Sequence, residues 1–169
     1  MLNLRNNQTE MTVRPNLIIF VIFLLSPLFI TSCSKDKNDV VPDIYTDFYI
    51  NLNDPEFFVL ASPFTSVYIS SSTNNIGLNA SGYDGNGIIV FRNVEDEFLA
   101  YDRTYPHDFK VNNKSVRVNV IDDIYAICPE CSTKYALPAY GTPSSGVGQY
   151  PLKNYKTSFN GLIVHVWNN

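Results

Sequence analysis

Histidine, cysteine and basic charge are all scarce in this chain. Its 169 residues include two histidines, His107 and His165, and three cysteines, Cys33, Cys128 and Cys131. No serine stands in a nucleophile motif. No glycine-rich loop follows a strand and opens a helix, so a phosphate cradle is excluded. Glu95-Asp96-Glu97 and Asp122-Asp123 lack the ligand spacing of an EF-hand loop and read as turn and solvent-face charges. There is no basic stripe, which argues against a nucleic-acid partner. No window carries a convincing helical period.

What is present begins with an apolar run, Leu17 to Ile30 (LIIFVIFLLSPLFI), behind the weakly basic start at Met11. Met11 is the expected start of this leader, with residues 1–10 upstream of it. The run is short for a membrane span and is broken at Pro27; its length suits a signal-peptide core. Ile30-Thr31-Ser32-Cys33 follows and resembles the lipobox of bacterial lipoproteins. The resemblance implies cleavage before Cys33, lipidation of its thiol and acylation of its amine. Buried acyl carbons contribute about 0.8 kcal/mol each, so several chains together hold firmly. The expected organisation is a signal peptide over 1–32, a lipidated Cys33 with a polar tether over 33–43 (SKDKNDVVPD after the cysteine), and one β-domain over 44–169. The implied location is the cell envelope, lipid-anchored, at the outer membrane on either face. The lipid bilayer, reached through Cys33, is the one partner indicated.

Without the leader, 137 residues remain, enough for one domain with a hydrophobic core. Loss of Arg5, Arg14 and Glu10 leaves ten cations and fifteen anions, a formal charge of −5. All 11 tyrosines lie in this part, and Gly, Pro, Asn and Ser fall between apolar runs, as in strand-rich domains. Strands are expected over 45–52, 57–60, 66–70, 88–92, 97–102, 116–121, 124–128 and 161–167, with turns at Asn53-Asp54-Pro55, 82–87, 93–96 and Asp122-Asp123. About ten short strands at this spacing indicate an all-β sandwich or barrel. His165 alternates with Ile163 and Trp167 and reads as a packed or edge histidine. Tyr101, Tyr105, Tyr125, Tyr135, Tyr140 and Tyr150 read as sheet aromatics in preference to a carbohydrate-stacking surface.

The order of segments from Gly87 to Trp167 resembles a Rieske domain. That family runs strand, acidic turn, a strand ending in C-x-H, a hairpin, C-P-x-H-G-S-x-F, a Gly/Pro-rich loop ending in P-L, and two closing strands. Here the order is IIVFR (88–92), VEDE (94–97), FLAYDRT (98–104), Tyr105-Pro106-His107, then Cys128-Pro129-Glu130-Cys131-Ser132-Thr133-Lys134-Tyr135. GTPSSGVGQYPL (141–152), NYKTSF (154–159) and GLIVHVW (161–167) follow. The resemblance implies a Rieske-like antiparallel β-sandwich or barrel carrying a two-loop tip subdomain.

In Rieske proteins two Cys hold one iron of a 2Fe–2S cluster and two His hold the other. Carried over by position, the four ligand sites are Tyr105, His107, Cys128 and Cys131. Tyr105 stands where a Cys belongs, and Cys131 where a His belongs. A phenol with an ordinary pKa near 10 does not replace a thiolate. A preassembled cluster also requires twin-arginine export, and the leader holds an isolated Arg14. The expected function is a membrane-anchored Rieske-like domain with an incomplete ligand set, in a structural or binding role without catalysis and without a cofactor. Two alternatives stay open: a Rieske-type iron–sulfur electron carrier, and a zinc or thiol/disulfide module using His107, Cys128 and Cys131. In the oxidising envelope Cys128 and Cys131 can also form a disulfide.

Overall fold

The computed structural model describes residues 39–168. The leader and Cys33 lie outside the described residues. The strands are β1 (Asp47–Asn51), β2 (Thr65–Ile69), β3 (Ile88–Arg92), β4 (Phe98–Asp102), β5 (Asn119–Ile121), β6 (Tyr125–Ile127), β7 (Lys134–Ala136), β8 (Thr142–Ser145), β9 (Asn154–Phe159) and β10 (Ile163–Trp167). They form a six-stranded sheet, β1-β10-β9-β4-β3-β2, and a four-stranded sheet, β5-β6-β7-β8. Every pairing is antiparallel. The fold is therefore all-β, as expected. The small sheet is an insertion between β4 and β9 of the large one, and it forms the expected tip subdomain.

Burial on two sides explains the most apolar strands. In β3 and β4, Ile88, Val90, Phe98 and Ala100 join a core with Phe48, Ile50, Leu60, Val164 and Val166. The alternate residues Ile89, Phe91, Leu99 and Tyr101 join a second core with Tyr105, Ala126, Cys128, Tyr135, Leu137 and Leu152. A strand covered on both faces has no reason to alternate, so IIVF and FLAY read as continuous apolar runs. β1 shows the opposite pattern: Phe48 and Ile50 point inward, while Tyr49 and Asn51 are exposed.

Turn chemistry fixes the hairpins. Glu95 and Asp96 both take positive φ (56° and 59°) between β3 and β4, and Asp122 and Asp123 do so (50° and 58°) between β5 and β6. Paired left-handed residues match the twist of antiparallel strands, and Asp tolerates that region better than most side chains. Arg103 pins the small sheet to the large one. Its Nε donates to the Val118 carbonyl (3.1 Å), a terminal nitrogen donates to Asn119 Oδ1 (3.0 Å), and the guanidinium lies 3.8 Å from the centre of the Tyr68 ring. Asp102, fully buried, accepts from the Tyr83 N–H (2.7 Å), the Thr104 N–H (2.8 Å) and the Tyr155 hydroxyl (2.7 Å).

Several sequence expectations are corrected. Residues 57–60 are not a strand; Pro55–Ala61 is a 3-10 helix. The Asp54-Pro55 signal initiates that helix: Asp54 caps the Glu56 N–H at 3.1 Å, and Pro occupies the first helical position. Residues 106–112 form a seven-residue α-helix, α1 (Pro106–Asn112), which ends at Asn113 in the left-handed region (φ 51°). Two turns are too few for a helical period to register. β7 and β8 arise in segments quoted only as motif and loop. Ordered packing also begins inside the expected tether: Val41 is buried, and Lys153 Nζ donates to its carbonyl (2.9 Å) while pairing with Asp43 (2.8 Å).

Candidate functional site

The two loops singled out by sequence meet at the tip of the small sheet. Tyr105 follows β4 and is held there by its N–H, which donates to the Val116 carbonyl at 2.8 Å. Pro106 then fixes the first turn of α1 and presents His107 beside the Tyr105 ring, with centroids 5.8 Å apart. The second loop leaves β6 at Cys128 and turns back tightly. The Cys128 N–H donates to the Thr133 carbonyl (2.9 Å) and the Ser132 N–H to the Cys128 carbonyl (3.0 Å). Ser132 sits at φ 59°, where the family motif has a glycine, the residue that takes this conformation without steric cost.

Hydroxyls and thiols fill the space between the loops. Tyr105 is fully buried. Its Oη lies 3.0 Å from Thr133 Oγ1 and 3.0 Å from Cys131 Sγ. Cys131 Sγ is 3.2 Å from Thr133 Oγ1, which closes a triangle. The 141–152 loop caps it: the Val147 and Gly148 N–H groups donate to Thr133 Oγ1 at 3.1 and 3.3 Å. Glycine is required at 146, where φ is +96° and a Cβ would stand 2.5 Å from Thr133 Oγ1. Tyr135 packs edge-on against Tyr105 (6.0 Å), and its buried hydroxyl has no hydrogen-bond partner among the described residues. At the rim Lys114 Nζ pairs with Glu130 at 2.6 Å.

The two cysteines differ sharply. Both are free thiols, Cys128 buried and Cys131 exposed. Burial pushes the Cys128 thiol up to about 11, against which the Cys131 and Glu130 backbone N–H groups act. Desolvation also raises Cys131. Hydrogen bonds to its sulfur from the Thr133 hydroxyl, Tyr105, the Thr133 N–H and Cys128 outweigh that and bring it below its ordinary value. Burial, then the contact with Cys131, holds the Tyr105 phenol well above the ordinary tyrosine range.

The implied 2Fe–2S cluster and zinc can be tested against this geometry. By the resemblance, positions 105 and 131 belong to opposite irons, so a two-iron core has to stand between them. Tyr105 Oη and Cys131 Sγ instead touch at 3.0 Å. Among the described residues no group of three or more His, Cys, Asp or Glu side chains is placed to hold a metal ion, so His107, Cys128 and Cys131 do not converge on one centre. The residues present fit neither group in this arrangement.

Of the expected site residues, Tyr105, Cys128 and Cys131 share one cluster, and His107 stands beside it. His165 lies elsewhere, stacked between Tyr49 (4.2 Å) and Trp167 (4.4 Å) with Nε2 2.8 Å from Asp47 Oδ1, a packed histidine as expected. Tyr101, Tyr105 and Tyr135 are core aromatics. The residue missed by sequence is Thr133, the hub of the network. Its only signal was its place at the Ser position of C-P-x-H-G-S-x-F.

No family model matches the sequence, and the comparison with curated proteins found no match. Among solved structures, the ferredoxin of carbazole 1,9a-dioxygenase from Nocardioides aromaticivorans IC177 is 15% identical with a TM-score of 0.46, over 73% of this chain and 99% of that one. The Sphingomonas yanoikuyae B1 ferredoxin is 15% identical with a TM-score of 0.42, over 65% of this chain and 93% of that one. A chain from the complex of reduced oxygenase and oxidized ferredoxin in carbazole 1,9a-dioxygenase is 18% identical with a TM-score of 0.42, over 64% and 84%.

Proposed function

We propose that this protein is an envelope lipoprotein whose Rieske-like domain has exchanged its cluster for a tyrosine plug, and that it serves a structural or binding role and not electron transfer. The observation that carries this reading is the position of Tyr105. Its ring is fully buried between the loops and its hydroxyl is bonded to both Cys131 and Thr133, in the space a cluster would need. The leader supports the reading independently. A cluster assembled in the cytoplasm needs a folded-protein export route, and no Arg-Arg pair precedes the apolar run. Anchoring through Cys33 accounts for the lipobox-like ITSC and for the polar residues after it.

Iron, sulfide and zinc analysis of the full-length protein, extracted from membranes in detergent, tests the site. Both metals are expected well below one per chain, with no visible absorption. Two irons per chain with a Rieske-type or ferredoxin-type spectrum would restore the electron-transfer alternative, and stoichiometric zinc the zinc module. Anchoring is tested separately by Cys33→Ser, which is expected to abolish lipid labelling and leave an unprocessed precursor. Normal processing and labelling of that variant would reject the lipoprotein assignment.

A further inference from the structure

Cys128 and Cys131 are two sulfurs in one tight turn, and the fold treats them differently. Cys128 is fully buried in the second core, while Cys131 reaches solvent. The turn between them is closed by the Ser132 N–H, which donates to the Cys128 carbonyl at 3.0 Å. The polar neighbours of Cys131 are hydroxyls. Its Sγ lies 3.0 Å from Tyr105 Oη, to which the thiol donates, and 3.2 Å from Thr133 Oγ1. Thr133 Oγ1 also accepts from the Tyr105 hydroxyl and from the Val147 and Gly148 N–H groups, which holds both side chains in place. Once Cys131 loses its proton its sulfur is an acceptor only, and the two hydroxyls already stand at donating distance. The exposed sulfur thus has two hydroxyls beside it, and the second thiol lies three residues back in the same turn.

We propose that Cys128 and Cys131 form a dithiol that exchanges with low-molecular-weight disulfides, Cys131 as the attacking sulfur, Cys128 as the resolving sulfur, and Tyr105 and Thr133 as positioning residues. This rests on the reading that the tip holds no metal. In the first step the Cys131 thiolate attacks one sulfur of the disulfide; a mixed disulfide forms and one thiolate leaves. Cys128 then gives up its proton to solvent and attacks Cys131 Sγ; the Cys128–Cys131 bond forms and the second thiolate leaves. The two protein thiols lose two electrons, and one external disulfide becomes two thiols. Burial of Cys128 keeps it from meeting the external disulfide first.

The groups facing Cys131 that carry or can take charge are Cys128, Tyr105 and Tyr135, with Asp108 and the Lys114–Glu130 pair around the same loop. The neutral hydroxyls of Tyr105 and Thr133 make the closest contacts, so their removal is the direct test. Reduced full-length protein is incubated with oxidised glutathione, quenched in acid and mapped by mass spectrometry, with its iron and zinc measured in parallel. The wild type is expected to pass through a glutathione adduct on Cys131 and end as the internal disulfide. Cys128→Ser is expected to accumulate the adduct on Cys131, and Cys131→Ser to show none on Cys128 until denaturant is added. Tyr105→Phe is expected to move the pH profile of Cys131 alkylation upward, with Thr133→Val acting the same way and Thr133→Ser restoring the wild-type profile. Equal labelling of both cysteines in the folded protein, or no adduct on Cys131 in metal-free protein, overturns the exchange role alone. An unmoved pH profile in Tyr105→Phe overturns its positioning role. Stoichiometric iron or zinc overturns the metal-free reading and this proposal with it.

Discussion

The six-stranded sheet and the four-stranded tip are built on opposite principles, although β3 and β4 belong to the walls of both. The core of the large sheet is made of aliphatic and aromatic residues from five- and six-residue strands, and its polar members, such as Asp102 and Tyr155, bond to one another. The tip uses strands of three and four residues, a tight turn with Ser132 in the left-handed region, and close-packed glycines. It buries a thiol, a phenol whose hydroxyl has no partner among the described residues, and a threonine whose hydroxyl meets two side chains and two backbone N–H groups at once. One region is packed with apolar side chains and the other brings thiols and hydroxyls into mutual contact. Short strands alone do not supply that rigidity; it comes from anchoring to the larger core through Tyr101, whose hydroxyl reaches across to the Leu137 carbonyl at 2.5 Å, and through Arg103.

Substitutions can break that division at graded cost. Ile88→Ala in the large core removes a fully buried branched side chain and is expected to cost about 2–5 kcal/mol of global stability. The denaturant midpoint should fall while the folded protein keeps its contrast between Cys131 and Cys128 labelling. Loss of that contrast in the folded fraction would mean the two regions are not separable. Gly148→Ala strikes the tip alone. The added Cβ would stand 2.7 Å from Tyr135 Oη and 2.8 Å from Thr133 Cγ2, an overpacking expected to cost about 1–3 kcal/mol. Hydrogen exchange should report faster opening of 128–148 with β1 and β10 unchanged; uniform acceleration would show that the tip and the large sheet open together. Tyr135→Phe is the mildest case. It deletes a buried hydroxyl with no partner among the described residues, so stability is expected to hold or to rise by up to about 1 kcal/mol. A fall in the unfolding midpoint would reveal a buried water serving that hydroxyl.

The thiols sharpen the comparison through pH. Cys128 has a folded-state pKa of about 11, raised by burial from an ordinary 9.0, so the folded state favours its neutral form. That contribution is complete below pH 9 and is lost as pH rises towards 11. Cys131 is shifted the other way: its contribution is present above the unfolded value and is lost as pH falls through the lowered folded value. Calorimetry of wild type against Cys128→Ser across the alkaline range should therefore show a steeper loss of stability in the wild type.

Much of this protein was legible one segment at a time. The period-two pattern of β1, the strands over 88–92 and 97–102, and the acidic turns at 95–96 and 122–123 are written in adjacent residues, because alternation and turn chemistry act over two to five positions. So was the order of segments that resembles a Rieske domain, and with it the expectation that 105–107 and 128–131 meet. The Asp54-Pro55 helix start and α1 escaped because caps and short helices share their residues with turns. What the tertiary structure alone decided is the content of the tip. Tyr105 and Cys131 are 26 positions apart, and nothing in either local sequence says that the phenol lies 3.0 Å from the sulfur. Thr133 becomes a hub only when the 141–152 loop brings two backbone donors to it. Such contacts are set by which side chains the sheets press together, and that depends on packing across the whole domain rather than on any local signal.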